Sequence, residues 1–332
     1  MDIMNSKKLL RPILLLLVIA LAGSPAVSAT LTMQERVEAQ RAIEEVYWRH
    51  RIWPPENPPP KPPLSVLMPD EAIRARVETT LARSVALEVL WNRPVTAAQL
   101  QAELDRMTRH SRNPAMLGEI FEALGNDPLL LRECLARPIL VDRLIEGWYA
   151  RDGRFHGALR EEIEERLRLV RGAADMKSLG GQYAEVEVIV PAREGEGSSL
   201  DPAPEAAGVL HPEPAAWRRM VARLARAFGV PGSDSRPARR HGMEETSAGA
   251  GGLAGRLPVG RISGIVEDDD AFAVRAVLSR DETGMRIATV RWPKRSFQDW
   301  WRETRRSLDA EGLTWETTGD ANGSDAVPGG GF

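Results

Sequence analysis

PVTAAQLQAELDRMTRHSRNPAMLGEIFEALGNDPLLLRECLARPILVDRLI, residues 94–145, is a run of short helices separated by clear stop signals. Thr96 with Gln99 three residues later forms a capping box, in which each side chain accepts a backbone N–H of the other residue. The helix it opens carries Leu100, Leu104 and Met107 on one face. Asn113 before Pro114 opens a second helix, because proline at the first helical position forfeits no hydrogen bond. Its apolar residues Leu117, Ile120, Phe121 and Leu124 fall at i, i+3, i+4, i+7, and Gly125 closes it. Asp127 with Pro128 opens a third helix through Leu131, Cys134, Leu135, Val141, Leu144 and Ile145. Pro138 is expected to kink it, since proline cannot donate to the carbonyl of Cys134. Amphipathic helices this short must pack on each other or on neighbours, so the stretch reads as a module.

Helical signals continue on both sides. Thr32 and Glu35 form another capping box, followed by Val37, Ile43, Val46, Tyr47 and His50. Trp48 and Trp53 then lead into Pro54, Pro55, Pro58, Pro59, Pro60, Pro62 and Pro63, expected to form an extended polyproline strut. The strut reads as a strap over the helical lobe, with a recognition ligand as the alternative. Asp70 is expected to cap a long helix carrying Ile73, Val77, Leu81, Val85 and Val89 and ending at Trp91. Phe155, Leu159, Ile163, Leu167 and Val170 mark one more helix.

Beyond Gly180-Gly181 the period changes to two. Val186, Val188 and Val190 read as one strand, and Ile262–Val266, Phe272–Ser279 and Met285–Trp292 as three more. A helix with Trp217, Met220, Val221, Leu224 and Phe228 stops at Gly229. Two Gly- and Pro-rich stretches, Pro191–Pro212 and Pro231–Gly255, read as loose insertions, the second with a basic knot at Arg236, Arg239, Arg240 and His241. Ser296 and Asp299 start a last helix bearing Phe297, Trp300, Trp301 and Leu308.

The 332 residues are long enough for two modest domains, and 43% hydrophobic content is enough to fill their cores. Lys7, Lys8 and Arg11 precede the apolar run Ile13–Ala22, and Val27-Ser28-Ala29 resembles a cleavage site, so residues 1–29 are read as a signal peptide. That segment holds three basic residues against Asp2, a net of +2, and the whole chain is −3, leaving −5 for the mature protein. The expected product is exported, periplasmic or extracellular, with no stable membrane insertion. No basic stripe suggests nucleic acid. Cys134 is the single cysteine, so no internal disulfide can form, and its place on an apolar face favours core packing over a reactive thiol. The histidines at 50, 110, 156, 211 and 241 show no paired ligand spacing, and Asp268-Asp269-Asp270 reads as a hairpin connection, so neither metal nor cofactor is expected.

Gly251-Gly252-Leu253-Ala254-Gly255 followed by Leu257-Pro258-Val259-Gly260-Arg261-Ile262-Ser263-Gly264-Ile265-Val266-Glu267 resembles the end of a parvulin-type peptidyl-prolyl isomerase domain. The family has a paired glycine loop, then a leucine-x-x-glycine-x-Ile/Val-serine turn into a last strand, here Ala271 to Leu278. The resemblance covers about forty residues. Val95 to Leu100 with Leu131 to Ile145 resemble the N-terminal helical domain of SurA- and PrsA-like exported foldases, in which a helix after the parvulin domain packs back on the helical one. The resemblance implies an apolar prolyl pocket at Met220, Leu224, Leu253 and Phe272. It also implies a histidine in the first strand and another after an aromatic in the last. Here the first strand has none and Ala273 follows Phe272, so no catalytic residue is assigned. His241 is a candidate replacement, a solvated surface position the alternative.

The expectation is an α+β protein with an N-terminal all-helical lobe, a small parvulin-like α+β lobe and a C-terminal helix returning to the helical lobe. Its parts run 30–69 (helix and proline strut), 70–172 (helical chaperone-like domain), 180–292 (degenerate parvulin-like domain), 293–313 (C-terminal helix) and 314–332 (disordered tail). As the resemblance implies, it is a holdase-type folding factor for unfolded or extended polypeptide. An active prolyl isomerase with an altered site and a non-catalytic envelope-assembly subunit are the alternatives.

Overall fold

The computed structural model describes residues 30–191, 208–231 and 252–313, and the fold is α+β. The expected signal peptide, the tail from 314, the basic knot with His241 and most of both loose insertions lie outside the described residues. The described residues fall into two compact units, residues up to 142 with those from 308 onward, and residues 143–307. The division falls inside the 70–172 stretch that the sequence reads as one lobe.

In the first unit, α1 (Met33–His50), α3 (Asp70–Trp91), α4 (Ala97–His110) and α5 (Pro114–Ala123) follow the start and stop signals. Both capping boxes form, Glu35 N donating to Thr32 Oγ1 and Gln99 N to Thr96 Oγ1 at 3.2 Å each. Asn113 Oδ1 accepts from Met116 N, and Asp127 Oδ1 accepts from Leu129 and Leu130 at the start of α6 (Pro128–Leu130). Asp70 is not the cap expected of it. Pro69 holds that position without a side-chain bond, and Asp70 is the first helical residue, paired with Arg41 at 2.6 Å. Its charge there still complements the helix N-terminus.

Pro138 acts through a wider turn. Residues Leu131–Ala136 form a π-helical segment, and Arg137 N donates to Arg132 O five residues back, before α7 (Arg137–Arg151) resumes. The π segment accommodates the ladder bond that proline cannot make. Cys134, Leu135 and Ala136 are buried there, in one cluster with Ile43, Val46, Leu104, Ile120 and Leu124.

The proline segment is not a straight strut. Asn57 N donates to Pro54 O, and the chain turns back through α2 (Leu64–Leu67). Trp48 Nε1 donates to Pro62 O at 3.0 Å and Trp53 Nε1 to Pro58 O at 3.2 Å, the two rings meeting edge to face. Lys61 lies 4.3 Å from the centre of the Trp48 ring and donates to the carbonyls of Trp48 and Arg51. The strap is thus tied down by its own tryptophans.

The second unit is built on a five-stranded sheet: β1 (Gln182–Ile189), β2 (Val209–Leu210), β3 (Val266–Glu267), β4 (Ala271–Arg280) and β5 (Gly284–Pro293), in spatial order β2-β1-β5-β4-β3. Among the described strands β1 and β2 pair parallel, and β1–β5, β5–β4 and β4–β3 pair antiparallel. The strand the resemblance takes as last, β4, is followed by β5, which lies between it and β1. One sheet face, with Val188, Val277, Met285 and Ile287, is covered by α9 (Pro214–Ala227) through Trp217, Val221 and Leu224. The other, with Phe272, Val274, Ala276, Ala288, Val290 and Trp292, is covered by Ile163 of α8 (Gly153–Leu169) and by Met176 and Leu179 of the 3-10 helix Ala173–Leu179. Strand residues therefore alternate between two buried layers. Gly284 has no substitute at its place in β5: an added Cβ would lie 2.5 Å from Val188 O.

Helix α10 (Phe297–Ala310) is capped by Ser296, whose Oγ accepts from Asp299 N. Trp300 stacks on Tyr149 with ring centres 4.5 Å apart and also meets Phe155 and Phe297, and Tyr149 Oη donates to Arg295 O.

Candidate functional site

Three helical segments of the first unit each present residues at i, i+3, i+4, i+7 to one groove of about 510 Å³. From α1 come Gln40, Ile43, Glu44 and Tyr47, and from α3 come Arg76, Thr79, Thr80 and Arg83. From the π segment and α7 come Leu135, Pro138, Ile139 and Asp142. Such a stripe runs for roughly 10 Å of helix, enough to face about three residues of an extended chain. Apolar and polar groups share the lining. Tyr47 and Ile139 reach solvent at 42% and 37% exposure, while Ile43 and Leu135 are buried. The charges are paired along the walls, Arg76 with Glu44 at 2.6 Å and Arg83 with Asp142. Burial, then the Glu44 charge, pushes the Tyr47 hydroxyl above its ordinary value, so it stays a neutral donor and acceptor at physiological pH. Cys134 sits at the edge of the groove floor, where burial pushes its thiol up to about 11. At neutral pH it is no nucleophile.

No family model, curated protein or solved structure matches this chain.

The four residues expected to line a prolyl pocket do not share one. Leu224 is buried among the α9 layer, with Met220 and Leu253 packed against it. Phe272 is buried on the opposite face of the sheet, with Val274 and Trp292. Strand alternation accounts for this: Val277 faces α9 and Phe272 lies at an odd offset from it in β4. Ala273, the position after the aromatic, is itself buried. The motif residues that carry the resemblance do meet one another structurally. Ser263 N donates to Arg275 O and Arg275 N to Ser263 Oγ, Gly260 N donates to Val277 O, and Arg280 holds the carbonyls of Ala254 and Leu257. Residues 257–267 therefore run along the edge of β4.

Asp268-Asp269-Asp270 forms the β3–β4 hairpin connection, with Asp268 N donating to Ala271 O. Lys294, with 1% of its side chain exposed, donates to Glu267 Oε1 at 2.8 Å, Asp268 O at 2.9 Å and Ala150 O. Among the described residues no three His, Cys, Asp or Glu side chains gather as a metal site. His156 is buried, its Nε2 3.1 Å from Tyr149 O; burial, then the Lys294 charge, holds its pKa below the ordinary value.

The sequence reading missed the groove because it followed apolar stripes. The signal was present on α3, where Arg76, Thr79, Thr80 and Arg83 form a polar stripe beside the buried Ile73, Val77 and Leu81.

Proposed function

We propose that this protein binds unfolded or extended polypeptide as an exported, ATP-independent folding factor of the holdase kind. The observation that carries this reading is the open groove lined by three helical stripes, in which apolar and hydrogen-bonding groups share the lining over a length suited to about three extended residues. Such a lining grips a chain through its backbone and tolerates varied side chains. The resemblance of Val95–Leu100, the short helices and Leu131–Ile145 to SurA- and PrsA-like helical domains points the same way, and a signal peptide would place the protein among unfolded, exported clients.

The isomerase reading loses support from the division of Met220, Leu224 and Leu253 from Phe272 between two faces of one sheet. An assembly role for the proline segment is weakened by the bonds that occupy Trp48 and Trp53.

The test is light scattering of an aggregating, chemically unfolded client with stoichiometric mature protein and no ATP. Suppression is expected, and Ile139→Glu, a half-exposed position on the groove rim, should abolish it without changing the circular dichroism spectrum. Equal suppression by Ile139→Glu and wild type would remove the groove from the activity. A wild type without effect on any client would refute the reading.

A further inference from the structure

A recess beside the groove is lined by one more positive than negative side chain. Arg36 on α1 and Arg137 at the start of α7 both hold Glu133: Arg36 Nη1 donates to Oε2 at 3.1 Å, and Arg137 donates through Nε and Nη2 at 2.9 Å each. The three side chains retain only 13%, 16% and 15% exposure. Burial pushes the Glu133 carboxyl up, but the bonds and charges of Arg137 and Arg36 outweigh it and leave it below its ordinary value. Glu133 is therefore ionised at neutral pH and the cluster keeps one net positive charge. Elsewhere in the groove each acid faces a base, Glu44 with Arg76 and Asp142 with Arg83.

A second observation falls at the same place. Arg36 Nε is buried with no acceptor. Buried guanidinium donors are seldom left so, and this one, itself out of solvent's reach, would meet an acceptor only after a small shift of the Arg36 side chain. Arg36, Glu133 and Arg137, with Val77 and Leu81, line a recess of about 20 Å³ that shares Gln40, Thr80, Cys134 and Pro138 with the main groove. A volume of roughly 10–15 Å³ accommodates one oxygen-sized atom. The recess therefore suits a single carboxylate oxygen and is too small for a ring or a branched apolar side chain.

We propose that this recess is a carboxylate subsite, so that the groove takes polypeptide presenting an acidic group beside an apolar side chain, which packs against Tyr47 and Ile139. The proposal rests on the polypeptide-binding reading above and deepens it. An Asp or Glu side chain and a free C-terminal carboxylate supply the same chemistry. Glu133 already fills the Nε–Nη2 fork of Arg137, so an entering carboxylate would be held by the net positive charge and by the guanidinium N–H groups that Glu133 does not use.

The experiment uses the full mature chain and four fluorescent peptides of one apolar sequence. They combine an internal Glu or Gln with a C-terminal acid or amide, and binding is read by anisotropy at low salt. Peptides with the engaged carboxylate should bind about tenfold more tightly than their neutral partners, the factor that one charge-assisted bond supplies. The pair that shows the gap identifies the source of the carboxylate. The gap should collapse in Arg36→Gln and persist in part in Arg36→Lys, which keeps the charge. If neither variant folds, the four-peptide comparison on wild type decides alone. Equal binding of all four peptides would overturn the subsite and leave the groove reading standing. Binding of none would overturn the groove reading itself.

Discussion

Replacing Lys294 with methionine isolates the energetics of the β3–β4 hairpin. In wild type the ammonium is almost fully buried, bonded to Glu267 and to the carbonyls of Asp268 and Ala150, with the Phe272 ring 4.7 Å away. Methionine fills similar volume but removes the charge. Breaking a buried ion pair from one side costs ~3–5 kcal/mol when both partners are dry. Glu267 keeps 31% exposure, so water recovers part of its solvation and roughly 2 kcal/mol remains. Two carbonyls without a donor add about 1 kcal/mol each, and the apolar gain of methionine returns about 1 kcal/mol. The net is roughly 3 kcal/mol, which for a unit of this size lowers the melting temperature by about 6–12 °C. Thermal melts followed by circular dichroism measure it, and amide exchange at Ala271 should accelerate. Arg151→Ala provides the contrast, since Arg151 and Asp269 are 66% and 71% exposed and their pair should contribute nothing measurable. A Lys294→Met melt within about 1 kcal/mol of wild type, or an equal loss in Arg151→Ala, would show that the buried ammonium does not hold the hairpin.

Trp300→Ala removes the ring stacked on Tyr149 and should cost roughly 3–5 kcal/mol in the unit of residues 143–307, read by the same melts; a loss below 1 kcal/mol would show that the aromatic cluster is loosely packed. His156 is held neutral by burial and Lys294, so its folded pKa lies below the ordinary 6.5. The stability it contributes is complete above about pH 6.5 and is lost as pH falls through the lower folded value, so His156→Gln should flatten the acid limb of a melting-temperature profile. Gly284→Ala forces a Cβ against Val188 O and should separate β1 from β5, seen as faster amide exchange at Val188 and its neighbours. Isomerisation of X–Pro peptides should stay at the uncatalysed rate in wild type and in Phe272→Ala, because Phe272 is sealed under the sheet; a rate that Phe272→Ala abolished would restore the isomerase reading.

Local signals were legible in the sequence wherever one residue type had a single structural use. Thr32, Thr96, Asn113 and Ser296 cap helices as their spacing to the next residues requires. Asp70 misled because Pro69 before it can supply the entry to the helix without any side-chain bond. The 3-10 turn at Ala173–Leu179 and the two-residue β2 were too short to leave a period. The prolyl pocket failed for a different reason. Which face of β4 a residue occupies depends on register with β5, and register is a long-range property that a single strand does not encode. The groove was legible only as polar stripes, which on any one helix look like ordinary solvated faces and gain meaning when three of them converge.

The position of β5 between β1 and β4 has a consequence for how this sheet comes into being. A chain that emerges from its amino end delivers β1 about a hundred residues before the strand that must lie beside it. Until β5 arrives, β1 offers one bare row of backbone donors and acceptors and β4 another, with the two residues of β2 on the far side of β1 and residues 257–267 on the far side of β4. Once the tight turn at 281–283 brings β5 back, one strand zips both rows at the same time. Completion of this sheet is therefore a late, single event during synthesis, and the waiting edges are open until then to pairing with a second copy.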